Sequence, residues 1–265
     1  MSRLIAIAGI VFLSLAAHAN DAESILMKAR ELQLERWDGV QNYTVEQTTV
    51  GMKIVVHYER VSETSFRVVP QGGLQPGAGA ADGGQVFMDF DDIQEIAGSA
   101  KLLGTETISG RNGYRLKSEN VEHVQTVDDE SVEFDTFEIW IDTEHYVPLK
   151  MKVHGTATGP EGSRPIMIEK VDTDYRQVPG SKLYEAYKQT MTMSGVMDEA
   201  QQKEMQEAQK QMAEMEKQLA SMPAAQRQMM EQMMGPQLEI MKNMAADGGV
   251  TIETTIDEIR VNSDM

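Results

Sequence analysis

Methionine carries the most distinctive chemistry of this chain. The sequence contains 20 methionines and no cysteine, and the stretch from Met229 to Met244 reads MMEQMMGPQLEIMKNM. Thioether sulfur binds soft cations such as Cu(I) and Ag(I), and Met230 and Met234 lie one helical turn apart, so both could bind one ion. Methionine is also an unbranched apolar side chain suited to helical cores and adaptable binding surfaces. The block holds no histidine and its sulfurs fall on core positions, which favours packing first, an apolar ligand surface second and a metal site third.

The other reactive residue types form no catalytic pattern. Four histidines follow the first nineteen residues, and they are far apart in sequence: His57, His123, His145 and His154. None has the i, i+4 partner of a zinc protease helix, and the chain has no G-x-S-x-G motif that would place a nucleophilic serine. The acidic turn at 128–130 lacks the alternating spacing of a calcium loop. We therefore expect no enzyme activity, no metal site and no cofactor.

Residues 1–19 have the composition of a secretory signal peptide. Arg3 precedes an apolar run from Leu4 to Ala17 that is too short to span a bilayer, and Ala17-His18-Ala19 fits the small-x-small cleavage rule. We expect cleavage after Ala19 and export to the periplasm of a diderm bacterium, without a stable membrane anchor.

Composition limits the partners and the fold. The formal net charge of −18 argues against nucleic acid and anionic lipid surfaces, because both require a basic face. The absence of cysteine leaves the hydrophobic core as the only source of stability. Residues 20–265 are long enough for one domain, which we expect to be a monomer.

A helix and a series of strands are predicted upstream of the methionine block. Residues 21–37 have helical periodicity, and the period becomes two from Tyr43 onward. Tight turns are predicted at Val50-Gly51 and at Asn112-Gly113, the latter in ETISGRNGYRLKSE. The remaining strands are YTVEQTTVG, MKIVVHYERV, SFRVVP, VFMDF, VEHVQTV, VEFDTFEIWID, VPLKMKVHG, IMIEKVDTDYRQV and LYEAYKQTMTM. This pattern predicts a large antiparallel sheet.

Three segments interrupt the strands. Residues 71–85 are rich in glycine, alanine and proline and predict a flexible loop, and residues 91–104 predict a short helix and a loop. Residues 196–246 predict a methionine-rich helical hairpin divided at Pro223. The period of two returns from Val250, so this hairpin is an insertion before the last strand.

Several stretches resemble the periplasmic outer-membrane lipoprotein-sorting (LolA-like) carrier superfamily. They are YTVEQTTV after the first helix, SFRVVP, ADGGQVFMDF, KLLGTETISGRNGYRLK and, as the most specific, FEIWIDTEHYVPLKMKVHG. Together they cover about residues 21 to 178, with 250–261 as a closing strand. The arginine that would help to latch a lid in this family corresponds to Arg67, but the matching lid motif is absent. The glycine-rich loop and the methionine hairpin also depart from the family pattern.

The resemblance implies an α+β fold, in which helices cover a curved antiparallel half-barrel with an apolar cavity. It implies a non-catalytic carrier or chaperone for lipid, acyl chains or acylated protein. Candidate ligand-binding residues combine the sheet positions with the helical insertion: Phe66, Val68, Phe87, Phe90, Trp140, Ile141, Leu149, Met212, Met215, Met230, Met233, Met234 and Met241. A copper- or silver-binding or envelope-stress protein and a protein-interaction scaffold are the alternatives.

Overall fold

The computed structural model describes an open antiparallel sheet of ten strands and one long helix. The described residues are 5–63, 65–69, 98–127, 130–160, 162–195, 203, 207 and 249–262, and side chains are described except at 5–20 and 120–130. The elements are α1 (Ile5–Trp37), β1 (Asn42–Thr49), β2 (Met52–Arg60), β3 (Phe66–Val69), β4 (Lys101–Ile108), β5 (Arg111–Val127), β6 (Glu130–Asp142), β7 (Pro148–Gly159), β8 (Gly162–Gln177), β9 (Tyr184–Ser194) and β10 (Val250–Val261).

Strands that follow each other in the chain are neighbours in the sheet, except β3 and β4, and the first and last strands also pair. The order runs β3-β2-β1-β10-β9-β8-β7-β6-β5-β4, so β3 and β4 are the edges. The last strand pairs with the first, with Tyr43 opposite Val261, and with β9, where Val250 lies opposite Met193. The methionine-rich segment therefore leaves the sheet and returns to it at paired positions. The segment itself, and residues 71–85, lie outside the described residues.

The helix packs against both halves of the sheet. Leu26 and Ala29 are buried with Leu116 and Ile139 of β5 and β6, whereas Trp37 packs on Tyr43 of β1 and Phe66 of β3, with ring centroids 5.0 and 4.7 Å apart. Five strand spacings between β1 and β6 amount to about 24 Å in a flat sheet. The helix from Leu26 to Trp37 covers only about 16 Å. These contacts are consistent with a curved half-barrel wrapped around α1.

Most of the strand predictions are confirmed, and the structure corrects some of the local predictions. The helix predicted over 21–37 is confirmed as part of α1, which begins at Ile5. Residues 101–104 belong to β4 and not to a helix or loop. The buried residues of the helix are Ala22, Leu26 and Ala29.

The turn between β4 and β5 lies three residues earlier than the sequence predicts. Ser109 and Gly110 have φ angles of 49° and 84°, and Asn112 and Gly113 lie inside β5. Gly113 lies in a closely packed place, where a Cβ would be 3.3 Å from Leu149 Cδ1 and 3.4 Å from Trp140 Cβ. Ser-Gly therefore makes the turn, and the glycine of Asn-Gly permits close packing of β5 against its neighbours. The other predicted turn is confirmed, because Val50 and Gly51 both have positive φ.

Candidate functional site

A cavity lies between α1 and the face of the sheet that the helix covers. Its volume is about 200 Å³, and it lies under Ala29 and Gln33 of the helix. Its apolar walls come from β6, β7, β9 and the turn between β6 and β7, and consist of Ile139, Ile141, Val147, Pro148, Met151 and Ala186, with the rings of Tyr146, Tyr175 and Tyr184. The polar residues of the wall are Lys170, Asp172, Glu185 and Gln189. The site therefore has apolar walls and one charged region.

Strand alternation explains why these side chains share one face. In β8 the residues that point toward the helix are Ile168, Lys170 and Asp172, because Lys170 lies opposite Met151 of the inner face. In β6, Ile139 and Ile141 point inward, and Trp140 points to the other side. The inner face is thus apolar on β6 and β7 and becomes charged on β8 and β9.

The turn that borders the cavity is fixed by Asp142. Its Oδ1 accepts hydrogen bonds from the backbone N–H groups of Glu144, at 3.0 Å, and His145, and its Oδ2 accepts one from Arg111 Nε at 2.9 Å. Burial raises the pKa of Asp142, but the hydrogen bonds from Arg111 and the backbone outweigh burial and hold the pKa below its ordinary value. Asp142 is therefore a charged structural cap, and it holds Tyr146, Val147 and Pro148 in position.

Two tyrosines and two arginines close one side of the site. The rings of Tyr175 and Tyr184 stack with centroids 5.7 Å apart, and the Arg111 guanidinium lies over both. Arg111 Nη1 donates to the Tyr184 hydroxyl at 3.1 Å. From the helix, Arg36 Nη2 donates to His145 O at 2.6 Å. These contacts connect α1, the β6–β7 turn, β8 and β9 around the cavity.

Burial raises the pKa values of two carboxyl groups in the charged region. Lys170 Nζ lies 3.1 Å from Asp172 Oδ2, and both side chains are almost fully buried. Burial raises the pKa of Asp172 although Lys170 opposes the shift. Burial also raises the pKa of Glu185 to about 7, with Lys170 and Arg36 opposing and Asp172 reinforcing the shift. Glu185 thus titrates near neutral pH inside the cavity wall.

Two carboxylate oxygens in this region lack hydrogen-bond partners among the described residues. They are Asp172 Oδ1 and Glu185 Oε1, and both are buried. Both oxygens are inaccessible to solvent, and a buried acceptor without a donor is costly.

Of the five predicted binding residues that the structure describes, one lines this cavity. Ile141 is 2% exposed and lines it. Trp140 and Leu149 are buried in a cluster with Val147, where Trp140 Nε1 donates to Glu106 Oε2 at 2.9 Å. Phe66 and Val68 pack in the cluster around Val45 and Tyr58, at the other end of the helix.

The other candidates lie outside the described residues: Phe87, Phe90, Met212, Met215, Met230, Met233, Met234 and Met241. The ligand-binding role of all thirteen stays a prediction. Arg67, the candidate latch residue, pairs with Glu59 at 2.6 Å.

No protein-family model matches the chain, and no curated protein does. Three solved structures resemble it over more than nine-tenths of its length. The first is a DUF1329 family protein from Desulfovibrio piger, with 8% identity, a TM-score of 0.41 and coverage of 94% of this chain and 95% of that one. The second is an outer membrane lipoprotein-sorting protein domain from Vibrio parahaemolyticus, with 12% identity, a TM-score of 0.40 and coverage of 91% and 94%.

The third is a LolA superfamily protein from Nitrosomonas europaea, with 11% identity, a TM-score of 0.36 and coverage of 92% and 94%. The second and third thus carry the name of the superfamily that the sequence resembles. Likeness at this level concerns the fold and carries no argument about the function of this chain.

Sequence reasoning missed the charged residues of the cavity. The segment IMIEKVDTDY does contain the signal, because alternation from Ile166 and Ile168 places Lys170 and Asp172 on the same face as two apolar residues. Charged side chains at inward positions are rare unless they are paired or functional. Glu185 gives no comparable signal. It lies at the start of β9, shortly after the Pro179-Gly180 break, where the apolar pattern does not show which face a residue occupies.

Two further observations concern the described residues alone. No group of three or more His, Asp or Glu side chains there could hold a metal ion. No helix within that part of the chain is long and apolar enough to cross a membrane.

Proposed function

We propose that this protein is a non-catalytic periplasmic carrier or chaperone that binds lipid, acyl chains or acylated protein between α1 and the sheet. The observation that carries the proposal is the cavity itself. Its walls of Ile139, Ile141, Met151 and three tyrosine rings are those of an apolar ligand site with a few fixed polar groups. Burial of an acyl chain there would contribute about 25 cal/mol per Å² of apolar surface.

The proposal assigns roles to the segments that flank the sheet. Residues 1–19 would direct export and be removed after Ala19, and 20–265 would form the working domain. The segment 196–246 joins the paired strands β9 and β10, and we propose it as a helical cover over the concave face. Unbranched thioethers on that cover would adapt to acyl chains of different length.

Native mass spectrometry tests the proposal. The protein is purified from a bacterial periplasm, its intact mass is measured without denaturation, and bound molecules are extracted into organic solvent. Co-purifying lipid is the expected result. A clean mass in a protein that also refuses added fatty acid and phospholipid would contradict the proposal.

A cavity-filling variant locates the binding site. Ala29 lines the cavity and is 8% exposed, so Ala29→Phe should occupy part of the volume and reduce bound lipid at least several-fold. Met27→Phe is the matched control, because Met27 is on the same helix and 41% exposed. Equal lipid content in the two variants would place the cargo elsewhere.

A further inference from the structure

The wall of the cavity changes from apolar to charged along one row of residues that crosses three strands. Ile139 of β6 lies opposite Met151 of β7, and Met151 lies opposite Lys170 of β8. All three residues line the cavity. Two strand spacings separate Ile139 from Lys170, which is about 10 Å across the sheet. The apolar part of this row therefore has a defined width.

The charged end of the row is a buried ion pair. Lys170 Nζ lies 3.1 Å from Asp172 Oδ2, and the two side chains are 13% and 7% exposed. An apolar chain that covered this pair would remove the remaining exposure of both groups to water, which is unfavourable. Gln189, opposite Asp172 on β9, continues the polar wall. A hydrocarbon chain that follows the row from Ile139 therefore ends its favourable contacts before Lys170.

The helix that forms the roof of the cavity is attached to the sheet on both sides of it. Toward the end of the helix, Arg36 Nη2 donates to His145 O at 2.6 Å, and Trp37 O accepts from Arg60 Nη2 of β2 at 2.8 Å. Toward its middle, Leu26 is buried against β5 and β6. Because α1 cannot move away from the sheet without breaking these contacts, the cavity volume of about 200 Å³ limits the size of a guest.

Volume and width indicate the same size of guest. An apolar cavity of about 150 Å³ accommodates benzene, with its six carbon atoms, so about 200 Å³ corresponds to about eight carbon atoms. Carbon–carbon bonds of about 1.5 Å advance an extended chain by about 1.3 Å each, so a width of about 10 Å also corresponds to about eight carbon atoms. Neither estimate leaves room for a second chain.

From this geometry we infer that the cavity binds a single apolar chain over a length of about eight carbon atoms, and that the Lys170–Asp172 pair sets this length. The inference rests on the proposed function, because it names the part of the cargo that enters the cavity. A diacyl lipid would place one chain under α1 and leave the other outside the cavity.

A series of n-alkanols measures the length, because the head group is uncharged and the same in all of them. Hexanol, octanol, decanol and dodecanol are titrated calorimetrically into the purified protein. Each methylene that enters the cavity should tighten binding about fourfold, so octanol should bind about 16-fold more tightly than hexanol. Between decanol and dodecanol the gain should fall below about twofold per methylene. Each alkanol should bind with a stoichiometry of one.

Replacing the ion pair by apolar residues should lengthen the chain that the cavity accepts. Lys170→Met together with Asp172→Leu removes both charges at once, and such a replacement of a buried pair is often tolerated. In this variant the affinity should rise about fourfold per methylene through dodecanol. Lys150→Met together with Glu169→Leu is the matched control, because these residues form a pair at 3.0 Å on the other face of the sheet. The control should keep the length limit of the unaltered protein.

A single substitution gives a second test that does not depend on the double variant. Met151 lies beside Lys170 in the row and is 8% exposed, so Met151→Ala should enlarge the cavity and extend the length limit by about two carbon atoms. An unchanged limit in this variant and in Lys170→Met with Asp172→Leu would overturn the inference.

The results for the unaltered protein distinguish the inference from the proposed function. A gain of about fourfold per methylene that continues through dodecanol, or two alkanol molecules bound per protein, would overturn the inference and leave the carrier proposal standing. Equal affinity for hexanol and octanol would overturn the inference as well. Failure of all four alkanols to bind would contradict the carrier proposal at this cavity, and the inference with it.

Discussion

Glu185 shows how a single carboxyl group can oppose folding near neutral pH. Its pKa rises to about 7 in the folded protein, first because of burial and then because of Asp172. A pKa raised in the folded state means that the folded protein holds its proton more tightly than the unfolded chain does. The free energy of unfolding is therefore unaffected below the unfolded pKa of about 4.5 and declines as pH rises toward 7.

The variant Glu185→Gln removes this titration while keeping the shape of the side chain. We expect the variant to gain up to about 3 kcal/mol of unfolding free energy relative to the unaltered protein at pH 8, since one pKa unit corresponds to about 1.4 kcal/mol. The gain should vanish below pH 4.5. Urea denaturation followed by circular dichroism between pH 4 and pH 8 measures both quantities. Glu169→Gln should show the pH slope of the unaltered protein, and an equal change in both variants would refute the assignment to Glu185.

The position of the turn before β5 could not be predicted from the local sequence alone. Asn112-Gly113 has the composition of a tight primed turn, and Ser109-Gly110, three residues earlier, can adopt the same positive φ angles. In the structure Gly113 lies inside β5, packed closely against Leu149 and Trp140 of other strands. A single strand pair does not contain that information.

At the scale of elements, α1 is the part that joins the two halves of the sheet. Leu26 is 2% exposed and lies with Leu116, Ile139 and Ile141. Leu26→Ala should lower the free energy of unfolding by about 2–5 kcal/mol through lost burial and a residual cavity. Met27→Ala, at a neighbouring but 41% exposed position, should change it by less than about 0.5 kcal/mol.

Equilibrium urea denaturation of the two alanine variants checks this prediction. Similar losses of stability in both would mean that the helix does not use the face formed by Ala22, Leu26 and Ala29 in solution. A loss confined to Leu26→Ala supports the packing of α1 across the concave side.

The strands were predictable from sequence because each has one apolar face. Alternation identified β1, β2, β6, β7, β8 and β9, and Pro179-Gly180 placed the break between the last two. The cavity was not predictable, because its wall joins α1 to strands from four different parts of the chain. Trp140 and Ile141 illustrate the resulting error, because both were predicted to bind ligand. They are adjacent in sequence and point to opposite sides of the sheet.

At the scale of the whole molecule, β9 and β10 are neighbouring strands although the methionine-rich block separates them in sequence. β9 pairs with β8 and β10 along most of its length, and β10 also pairs with β1. The positions where the chain leaves and re-enters the sheet, Met193 and Val250, are direct partners. The two ends of the insertion are therefore held side by side by strand pairing.

This topology allows an experiment in which the methionine-rich block is removed. Replacing residues 196–248 by a short Gly/Ser turn should leave the far-ultraviolet circular dichroism of the sheet intact and keep a cooperative unfolding transition. If the block covers the cavity, the excised protein should release bound lipid faster, because a cover slows the escape of the ligand. Stopped-flow transfer of a fluorescent fatty acid to vesicles measures that rate in both proteins.

A control distinguishes a cover from a metal site or a part of the core. Replacing Met230, Met233 and Met234 by leucine keeps the apolar surface and removes the thioethers, so release should remain slow. Fast release from the leucine variant would indicate that the sulfur atoms themselves are required. Loss of cooperative unfolding in the excised protein would show instead that the block is part of the core. The proposal of a cover would then be wrong, and the methionines would serve as packing residues.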